Sequence, residues 1–538
     1  MGNLTSQIQI VVLLFLVVAA VAVLAARLKT PPAILLVVTG VLLALVPGLP
    51  TIELTPELVL LIVLPPVIYS AAVQMSWLEF RFNLRPITLL AIGSVLFTAV
   101  AVAAAAHWLL NLSWGIGFIL GAIIAPPDAV APLSVARRLR IPRRILVVLE
   151  GEGLANDATA LILYRFAVVA VSIGAFSPVS AVGTFAAIVV GEILWGIAVG
   201  WATLHLRRWV NEPRVEIILA LLTPFLAYWP PQALGGSGVL ATLVTGLYAS
   251  WNGLRLISSA TRLQGIFFWD LLIYLIEGMI FLITGLQART LFGRIAQFSL
   301  SDLLVSAAVI SAVVIIARFA WIFPATYIPR WLSSRLRRRD PSPPWQWVFV
   351  LSFTGVRGIV SLAAALAIPL TTSSGQPFPD RDLILLLTFS VILVTLVGLG
   401  LLLPAVIRAL GLAQAGDREQ HLERVEEQAA RQQAIEAVIE RLEQLRTERG
   451  LSDDIVEPLR TRHHNRLRHA DRSRGGSAAD RKYNDLHDDI ELTLIAAERE
   501  HINTLFRNGK LKDEARRRIE RELDLREAHF ASPRASRT

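Results

Sequence analysis

The chain has 538 residues, of which 54% are hydrophobic and only 17% are charged, and its mean hydropathy is +0.58. Soluble domains carry about one-quarter charged residues, so this composition excludes an ordinary soluble protein. The absence of cysteine from the sequence also excludes disulfides, thiolate chemistry and a Cys-ligated metal.

The net charge of +9 arises in the apolar part of the chain. Residues 1–411 hold 26 Lys and Arg against 16 Asp and Glu, whereas residues 412–538 hold 25 against 26. Basic residues between apolar runs are typical of a membrane-topology signal rather than of a phosphate-binding patch. We therefore predict no nucleic-acid partner, a transmembrane domain over residues 1–411 and a cytoplasmic helical tail over 412–538.

Apolar runs separated by Pro, Gly or Arg clusters predict an all-α polytopic membrane protein with about thirteen spans. The first run lacks a basic n-region and a small-residue cleavage site, so we predict a retained span rather than a signal peptide. The predicted spans are 7–26, 32–47, 57–75, 87–110, 114–136, 145–171, 179–206, 215–230, 236–251, 265–287, 301–328, 346–369 and 383–410.

Basic residues are distributed unevenly between the two sets of loops. If the N-terminus lies outside, the loops on the outer side of the membrane hold only Arg289, Arg294 and Arg381. The positive-inside rule then places the tail in the cytoplasm of a bacterial inner membrane. The cytoplasmic loops collect Arg27, Lys29, Arg81, Arg85, Arg137, Arg138, Arg140, Arg143, Arg144, Arg207, Arg208, Arg214, Arg255, Arg262, Arg330, Arg335, Arg337, Arg338 and Arg339.

The tail changes to charge-dense sequence from about Leu412. We predict helices over 418–449 and 480–528, joined by a polar stretch that contains Gly475 and Gly476. A solvated helical tail with a packing face is favoured over a ligand-sensing role, and the sequence does not identify a partner of the tail. The predicted packing stripe is Val425, Ile435, Ile439, Leu442 and Leu445.

An ionisable group within a span costs a few kcal/mol unless it has a partner or a water-filled cavity. Asp128 lies in the fifth span between Pro126, Pro127 and Pro132, which cannot donate helix hydrogen bonds. We therefore predict an interrupted helix whose exposed ends form an ion site near the membrane midplane. The alternative is a proline kink with a structural Asp.

The sixth span carries three acids. Glu152 and Asp157 lie about 140° apart around a helix, so they serve different neighbours. Asp157 can face a cavity, where a carboxylate binds either a proton or a cation, while Glu152 faces a partner helix. Glu150 lies almost on the face of Asp157, although a place at the cytoplasmic mouth is favoured for it.

Two arginines lie within later spans. Arg318 has no acid nearby in sequence and needs a partner on another helix, for which Glu152 is the candidate. Arg357 is flanked by Gly355 and Gly358, which permit a second broken helix, and two interrupted spans predict an inverted repeat. Other charged residues within spans lack a motif and are interpreted as structural, namely Arg165, Glu192, Asp270 and Glu277.

These residues resemble the monovalent cation:proton antiporters, which include the animal sodium/hydrogen exchangers and their prokaryotic relatives. The resemblance covers about residues 7–411. It is carried by Pro65-Pro66, Pro127-Asp128-Ala129-Val130, Gly151-Glu152-Gly153-Leu154-Ala155-Asn156-Asp157, Ala317-Arg318 and Gly355-Val356-Arg357-Gly358.

The resemblance implies a thirteen-helix inverted-repeat fold, a homodimer, crossed broken fifth and twelfth helices, and an elevator-like movement of the core. Asp157 resembles the carboxylate that binds cation and proton in turn, and Asn156 resembles its orienting neighbour. A single Asp preceded by Asn is associated with electroneutral exchange. Glu152 and Arg318 resemble a structural ion pair, and Asp128 and Arg357 resemble the charges that compensate half-helix ends.

Three positions depart from the family pattern. Relatives often have an acid at Ser70, a hydroxyl residue at Gly153 and Thr at Pro127. Asp157, backbone carbonyls and water remain as the predicted ligands of Na⁺, or alternatively K⁺ or Li⁺, with Ser70 and Glu150 as possible additional site residues. No cofactor is predicted.

We therefore predict a cation/proton antiporter, not an enzyme, that supports salt tolerance and pH homeostasis. An intramembrane aspartyl protease would use Asp128 and Asp157 as a dyad, but neither has a Gly-x-Gly-Asp setting. A channel would need a carbonyl-filter repeat or a ring of charges. A transporter-like sensor that signals through the tail is the third alternative.

Overall fold

The computed structural model describes residues 2–47, 54–173, 178–210, 212–295, 299–373, 375–475, 478–508, 515–516, 519–520 and 522–527. Within these residues all regular structure is helical, apart from one isolated antiparallel bridge between Thr371 and Pro377. The prediction of an all-α protein is confirmed for this part of the chain. The chain divides into two compact units, Met1–Asp417 and Arg418–Thr538.

Helices lie in every predicted span, and two spans hold a pair of half-helices. Within the described residues, seven helices are long and apolar enough to cross a membrane: Gln9–Leu28, Leu84–Leu110, Arg143–Ser172, Ala181–Arg207, Thr261–Leu291, Leu300–Leu332 and Arg381–Ala409. The shorter apolar helices are Pro32–Ala44, Leu58–Gln74 and Trp114–Ile124.

The helix bounds in the first unit, with the helix that leads into the second, are Gly2–Leu28, Pro32–Ala44, Leu64–Gln74, Trp77–Phe82, Leu84–Thr88, Val95–Leu110, Trp114–Ile124, Val130–Arg138, Arg143–Ile173, Pro178–Arg207, Pro213–Ala233, Val239–Leu256, Ser259–Leu286, Ala288–Ile295, Leu300–Leu332, Ser334–Arg339, Trp345–Phe353, Ile359–Leu366, Arg381–Leu393, Gly400–Ala409 and Leu412–Arg449. In the part of the chain that the structure describes, three π-helical turns join neighbouring segments at Leu58–Val63, Leu89–Ser94 and Val394–Leu399. We call Arg143–Ile173 the Asp157 helix.

Both predicted interruptions are present. The first broken helix consists of Trp114–Ile124 and Val130–Arg138. It is interrupted where Pro126 and Pro127 have no N–H to donate. The second broken helix consists of Trp345–Phe353 and Ile359–Leu366, and glycines lie near both ends of its non-helical segment. Each interruption leaves backbone groups without a partner in their own helix, so other residues must pair with them.

Small residues bring helices into backbone contact. A Cβ on Gly285 would lie 2.8 Å from the Cα of Gly40, so the helices Pro32–Ala44 and Ser259–Leu286 meet at two glycines. Such small-residue contacts drive helix association in lipid, because apolar side chains gain little by leaving an apolar solvent. The close fit of their surfaces therefore holds these two helices together.

Glu192 is buried on the helix Pro178–Arg207, and its carboxylate lies at the N-terminus of Val239–Leu256. A negative charge there compensates the positive end of the helix dipole. This contact matches the structural interpretation of Glu192. The carboxylate accepts hydrogen bonds from the backbone N–H groups of Ser237 at 2.6 Å, Gly238 at 3.0 Å, Leu240 at 3.1 Å and Ala241 at 3.3 Å.

The second unit contains the remainder of the helix Leu412–Arg449, followed by Asp453–Gly475 and Ala478–Arg507. The helix Asp453–Gly475 lies where we expected a polar connection, so that prediction was wrong, and Gly476 lies outside the described residues. In the predicted stripe Ile435 and Leu442 are buried, whereas Val425 is 43% exposed. The packing face is therefore shorter than the sequence predicts.

Candidate functional site

Asp128 lies where the two broken helices meet. Its backbone N–H donates to the Val356 carbonyl at 2.7 Å, and its Oδ1 accepts from the Val130 N–H at 2.9 Å. Its Oδ2 lies against Gly358, where a Cβ would overlap the carboxylate. Val130 and Gly358 lie at the start of the second half of each broken helix, so the carboxylate faces two positive helix ends.

Arg357 is buried at the other helix end of the first interruption, which is the C-terminal end of the first half-helix. Its Nε donates to the Ile124 carbonyl at 2.9 Å and its Nη2 donates to the Ala125 carbonyl at 3.3 Å, while its Nη1 donates to Gly355. Ile124 and Ala125 lie at the C-terminal end of Trp114–Ile124, where free carbonyls give a negative partial charge. The guanidinium therefore compensates that end.

Arg318 pairs with Glu152, the partner suggested by the sequence. Nη1 donates to Oε1 at 2.5 Å and Nη2 donates to Oε2 at 2.8 Å, and the side chains are only 1% and 2% exposed. Arg318 also donates to the Leu351 carbonyl from Nε at 3.2 Å and from Nη2 at 2.9 Å. Leu351 lies near the C-terminal end of Trp345–Phe353, so Arg318 compensates this half-helix as well.

Sequence reasoning missed the Leu351 contact. The available signal was symmetry, because a second broken helix needs a cation at its C-terminal end as the first one does. A Cβ on Gly355 would lie 2.6 Å from the Arg318 Cδ, so the glycine allows the arginine to approach the chain break. Gly355 is therefore required for close packing.

Asn156 and Asp157 lie beside the first interruption. The buried Asn156 donates from Nδ2 to the Pro127 carbonyl at 2.7 Å, and its Oδ1 has no hydrogen-bond partner among the described residues. Asp157 is half-buried, and within the described parts of the chain its carboxylate makes no hydrogen bond or ion pair. Asp128 is its charged neighbour. Free carboxylate and amide oxygens are ligands that suit a hard cation.

Ser70 and Glu150 make contacts of their own. Ser70 is buried, and its hydroxyl accepts from the Gln74 Nε2 on the same helix at 3.4 Å. Glu150 accepts from the Arg137 Nη2 at 2.7 Å, so it lies at the end of the first broken helix. These contacts place Glu150 in an ion pair with Arg137 rather than beside the unpartnered oxygens of Asn156 and Asp157.

Gly153 lies where the Asp157 helix crosses the interruption. A Cβ there would lie 2.6 Å from the Cβ of Ala129, closer than two methyl groups approach. Glycine at this position therefore has a packing reason, and a hydroxyl residue would displace the first broken helix. This contact accounts for one departure from the family pattern.

Glu277 is a further acid near the site that sequence reasoning interpreted as structural. It is half-buried on the helix Ser259–Leu286, and Asp128 and Arg137 are its charged neighbours. It makes no hydrogen bond or ion pair to any residue that the structure describes. A lone acid in an apolar run was the available signal.

Comparison with protein families identifies the family to which a chain with this arrangement belongs. The family model for the transmembrane sodium/hydrogen exchanger matches residues 11–409. The chain belongs to the sodium/hydrogen exchanger family. The resemblance drawn from the motifs is confirmed, and the members of this family are multi-pass membrane transporters rather than enzymes.

Similar relatives include exchangers from several bacteria. The chain is 36% identical to an uncharacterized Na⁺/H⁺ exchanger from Mycobacterium tuberculosis, over 97% of this chain and 96% of the relative. It is 31% identical to a sodium, potassium, lithium and rubidium/H⁺ antiporter from Bacillus subtilis, over 74% and 61%. It is 30% identical to the low-affinity Na⁺/H⁺ antiporter NhaS1 from Synechocystis, over 77% and 76%.

The fold is similar to that of a solved exchanger. The sodium proton antiporter MjNhaP1 from Methanocaldococcus jannaschii matches with a TM-score of 0.56 and 20% sequence identity. The match covers 76% of this chain and 99% of the solved chain. The similarity supports the antiporter fold of the first unit.

Proposed function

We propose that this exchanger transports a monovalent cation in exchange for protons across the bacterial inner membrane, and that both ions compete at Asp157. One observation carries the proposal. The helix ends at the interruptions already have their charges compensated by Asp128, Arg357 and Arg318, whereas Asp157 and the Asn156 Oδ1 have no partner among the described residues. A carboxylate that is free of the scaffold is available for exchangeable ions.

Competition at one carboxylate is sufficient for coupling. A bound proton or a bound cation each neutralises Asp157, so the core moves only when one of them is bound, and a vacant carboxylate carries the charge that lipid disfavours. One cation for one proton moves no net charge, so we propose electroneutral exchange that the membrane potential neither drives nor opposes.

The wider architecture of this proposal follows the family. We propose thirteen crossing helices in an inverted repeat, a homodimer, alternating access by an elevator-like movement, an outside N-terminus and a cytoplasmic tail. The uneven distribution of basic residues between loops supports the orientation. The two broken helices, compensated in corresponding ways at their ends, support the inverted repeat.

Na⁺ is the proposed cation and K⁺ is the alternative. Two of the relatives are described as Na⁺/H⁺ exchangers or antiporters, and the Bacillus subtilis relative is described as transporting potassium, lithium and rubidium as well. Oxygen ligands from Asp157, Asn156 and freed carbonyls suit either ion. The glycine at position 153 contributes no side-chain oxygen.

The test is exchange in proteoliposomes that contain a trapped pH dye. After a proton gradient is imposed, Na⁺, K⁺ and Li⁺ are added separately, with and without a clamped voltage. Asp157→Asn is expected to abolish cation-triggered pH recovery while the thermal unfolding midpoint stays close to that of the native chain. The matched control is Asp302→Asn, the same change at an exposed acid. Retained exchange in Asp157→Asn would refute the assignment.

A further inference from the structure

A second polar site lies outside the ion pathway. A cleft lies between the helix Leu84–Leu110, the Asp157 helix, the helix Leu300–Leu332 and the first half of the second broken helix, and we call it the cavity. Arg85, Arg144 and Arg330 line it. The apolar part of its wall includes Leu89, Leu90, Ile145, Val148, Ile322 and Val348.

The charges around this cavity are unbalanced. Asp340 accepts from Arg144 at 2.6 Å and from Arg330 at 2.6 Å, and lies 3.5 Å from the Arg85 Nη1. Three guanidinium groups therefore share one carboxylate. The Arg85 Nη2 is buried and has no hydrogen-bond partner among the described residues. A buried donor without an acceptor is costly, and an anion bound in the cavity would accept a hydrogen bond from it.

Aromatic and basic residues place the cavity at the level of lipid headgroups. Trp331 is 79% exposed and Trp345 is 53% exposed, and Trp347 lines the cavity. Exposed tryptophans are typical of the membrane–water interface. Exposed arginines on the adjoining segment attract anionic lipids, and they are Arg335, Arg337, Arg338 and Arg339.

We propose that this cavity binds the phosphate of an anionic phospholipid. The Arg85 Nη2 is the donor from which a phosphate oxygen would accept, and the charges of Arg144 and Arg330 lie beside it. Nε and Nη2 of Arg144 and all three nitrogens of Arg330 already donate to protein oxygens, so these two arginines act mainly through their charge. The apolar wall contacts the first carbons of the acyl chains. Free phosphate shares the headgroup chemistry but leaves the apolar wall uncovered. Because apolar residues and arginines line the same cavity, the lipid is the occupant that uses both surfaces.

This lipid site is connected to the buried ion pair. Leu351 lines the cavity, and its carbonyl accepts hydrogen bonds from Arg318. Val148 also lines the cavity and lies about one helical turn before Glu152. A bound lipid therefore contacts residues that hold the Glu152–Arg318 pair, and its binding stabilises the same part of the unit.

The test is native mass spectrometry of the full chain in detergent, titrated with phosphatidylglycerol, phosphatidylcholine or inorganic phosphate. We expect saturable phosphatidylglycerol binding that is about tenfold tighter than binding of either comparison ligand, because choline balances the phosphate charge of phosphatidylcholine and inorganic phosphate makes no apolar contacts. Arg85→Gln is expected to weaken this binding about tenfold. The matched control Arg337→Gln removes an exposed arginine and is expected to change the affinity less than about twofold.

Three results would overturn the proposal. Equal losses in Arg85→Gln and Arg337→Gln would indicate general surface attraction. Equal affinity for phosphatidylcholine, whose phosphate charge is balanced by choline, would exclude selection for an anionic headgroup. Inorganic phosphate that binds as tightly as the lipid would assign the site to a soluble anion. If Arg85→Gln does not fold, Arg85→Lys keeps the charge next to Asp340 but loses the planar donors, and unchanged lipid affinity in that variant would likewise refute the proposal.

Discussion

The buried Glu152–Arg318 pair gives the most demanding test of the site's architecture. Removing one partner of a buried ion pair costs about 3–5 kcal/mol, because the other charge stays buried without compensation. Arg318→Met is expected at the upper end of this range, since it also removes both hydrogen bonds to the Leu351 carbonyl. Glu152→Gln is expected at the lower end, because the amide oxygen still accepts from Arg318.

These costs translate into measurable shifts in the unfolding midpoint. An unfolding entropy of about 2.1 cal/mol/K per residue gives roughly 0.9 kcal/mol/K for the unit Met1–Asp417. A loss of about 3–5 kcal/mol therefore lowers Tm by about 3.5–6 °C. Helices that persist in lipid reduce the unfolding entropy, so this shift is a lower bound.

The assay is thermal unfolding by tryptophan fluorescence in lipid nanodiscs, with both single variants and the double variant. The double variant is expected to cost less than the sum of the singles, since neither charge is then left alone. Arg337→Met is the control for loss of an exposed arginine. The reasoning fails if Arg318→Met unfolds at the same temperature as this control, or if the single costs simply add.

Three further predictions concern separate contacts. Gly358→Ala is expected to lower both Tm and the exchange rate, because a Cβ overlaps the Asp128 carboxylate. The control Gly191→Ala has open space around it and is expected to change neither quantity. Equal Tm values and exchange rates in the two variants would contradict the contact. Burial raises the pKa of Asp340, but hydrogen bonds and charges from its neighbouring arginines outweigh burial and hold the pKa below its ordinary value. The stabilisation it gives is therefore present above about pH 4, the unfolded value, and is lost as pH falls through the lower folded-state pKa. Asp340→Asn is expected to lose about 1 kcal/mol or less at pH 7 and to show a smaller decline in acid, measured by Tm against pH; an unchanged acid decline would contradict this. Glu277→Gln is expected to raise the half-saturating cation concentration about threefold without lowering the maximal exchange rate, since one negative charge near the site is lost; an unchanged half-saturation would remove Glu277 from the pathway.

Local chemistry made the interruptions predictable from the sequence. Pro126 and Pro127 cannot donate helix hydrogen bonds, and Gly355 and Gly358 weaken a helix. These effects act within a few residues, so they can be inferred without a structure. The need of a buried arginine for a carboxylate partner is equally general, and it led to the Glu152 contact of Arg318.

Contacts that depend on where a helix ends in space were not predictable in the same way. The Asn156 amide donates to the Pro127 carbonyl, and this carbonyl is available only because the chain is non-helical there. Glu150 lies nearly on the face of Asp157 around one helix, but the end of another helix supplies Arg137 and pairs with it. Sequence spacing describes one helix, whereas these contacts depend on the crossing of several.

In the tail, a helix was missed because its sequence is polar. The segment 453–475 is rich in charged and polar residues, and two glycines follow near its end, so composition favoured a connection. Charged residues are nevertheless compatible with a helix, and ion pairs such as that of Arg446 with Asp453 at 2.6 Å link it to the preceding helix. Polarity indicated exposure to water and was not evidence against helix formation.

The contact between Gly153 and Ala129 restricts how this chain can acquire a new cation ligand. A serine at position 153 meets the Ala129 methyl group, so the substitution alone disrupts the crossing before its hydroxyl reaches an ion. Replacement of Ala129 by glycine first removes the obstacle. The order of the two substitutions therefore decides whether a hydroxyl-bearing residue can be accommodated at position 153.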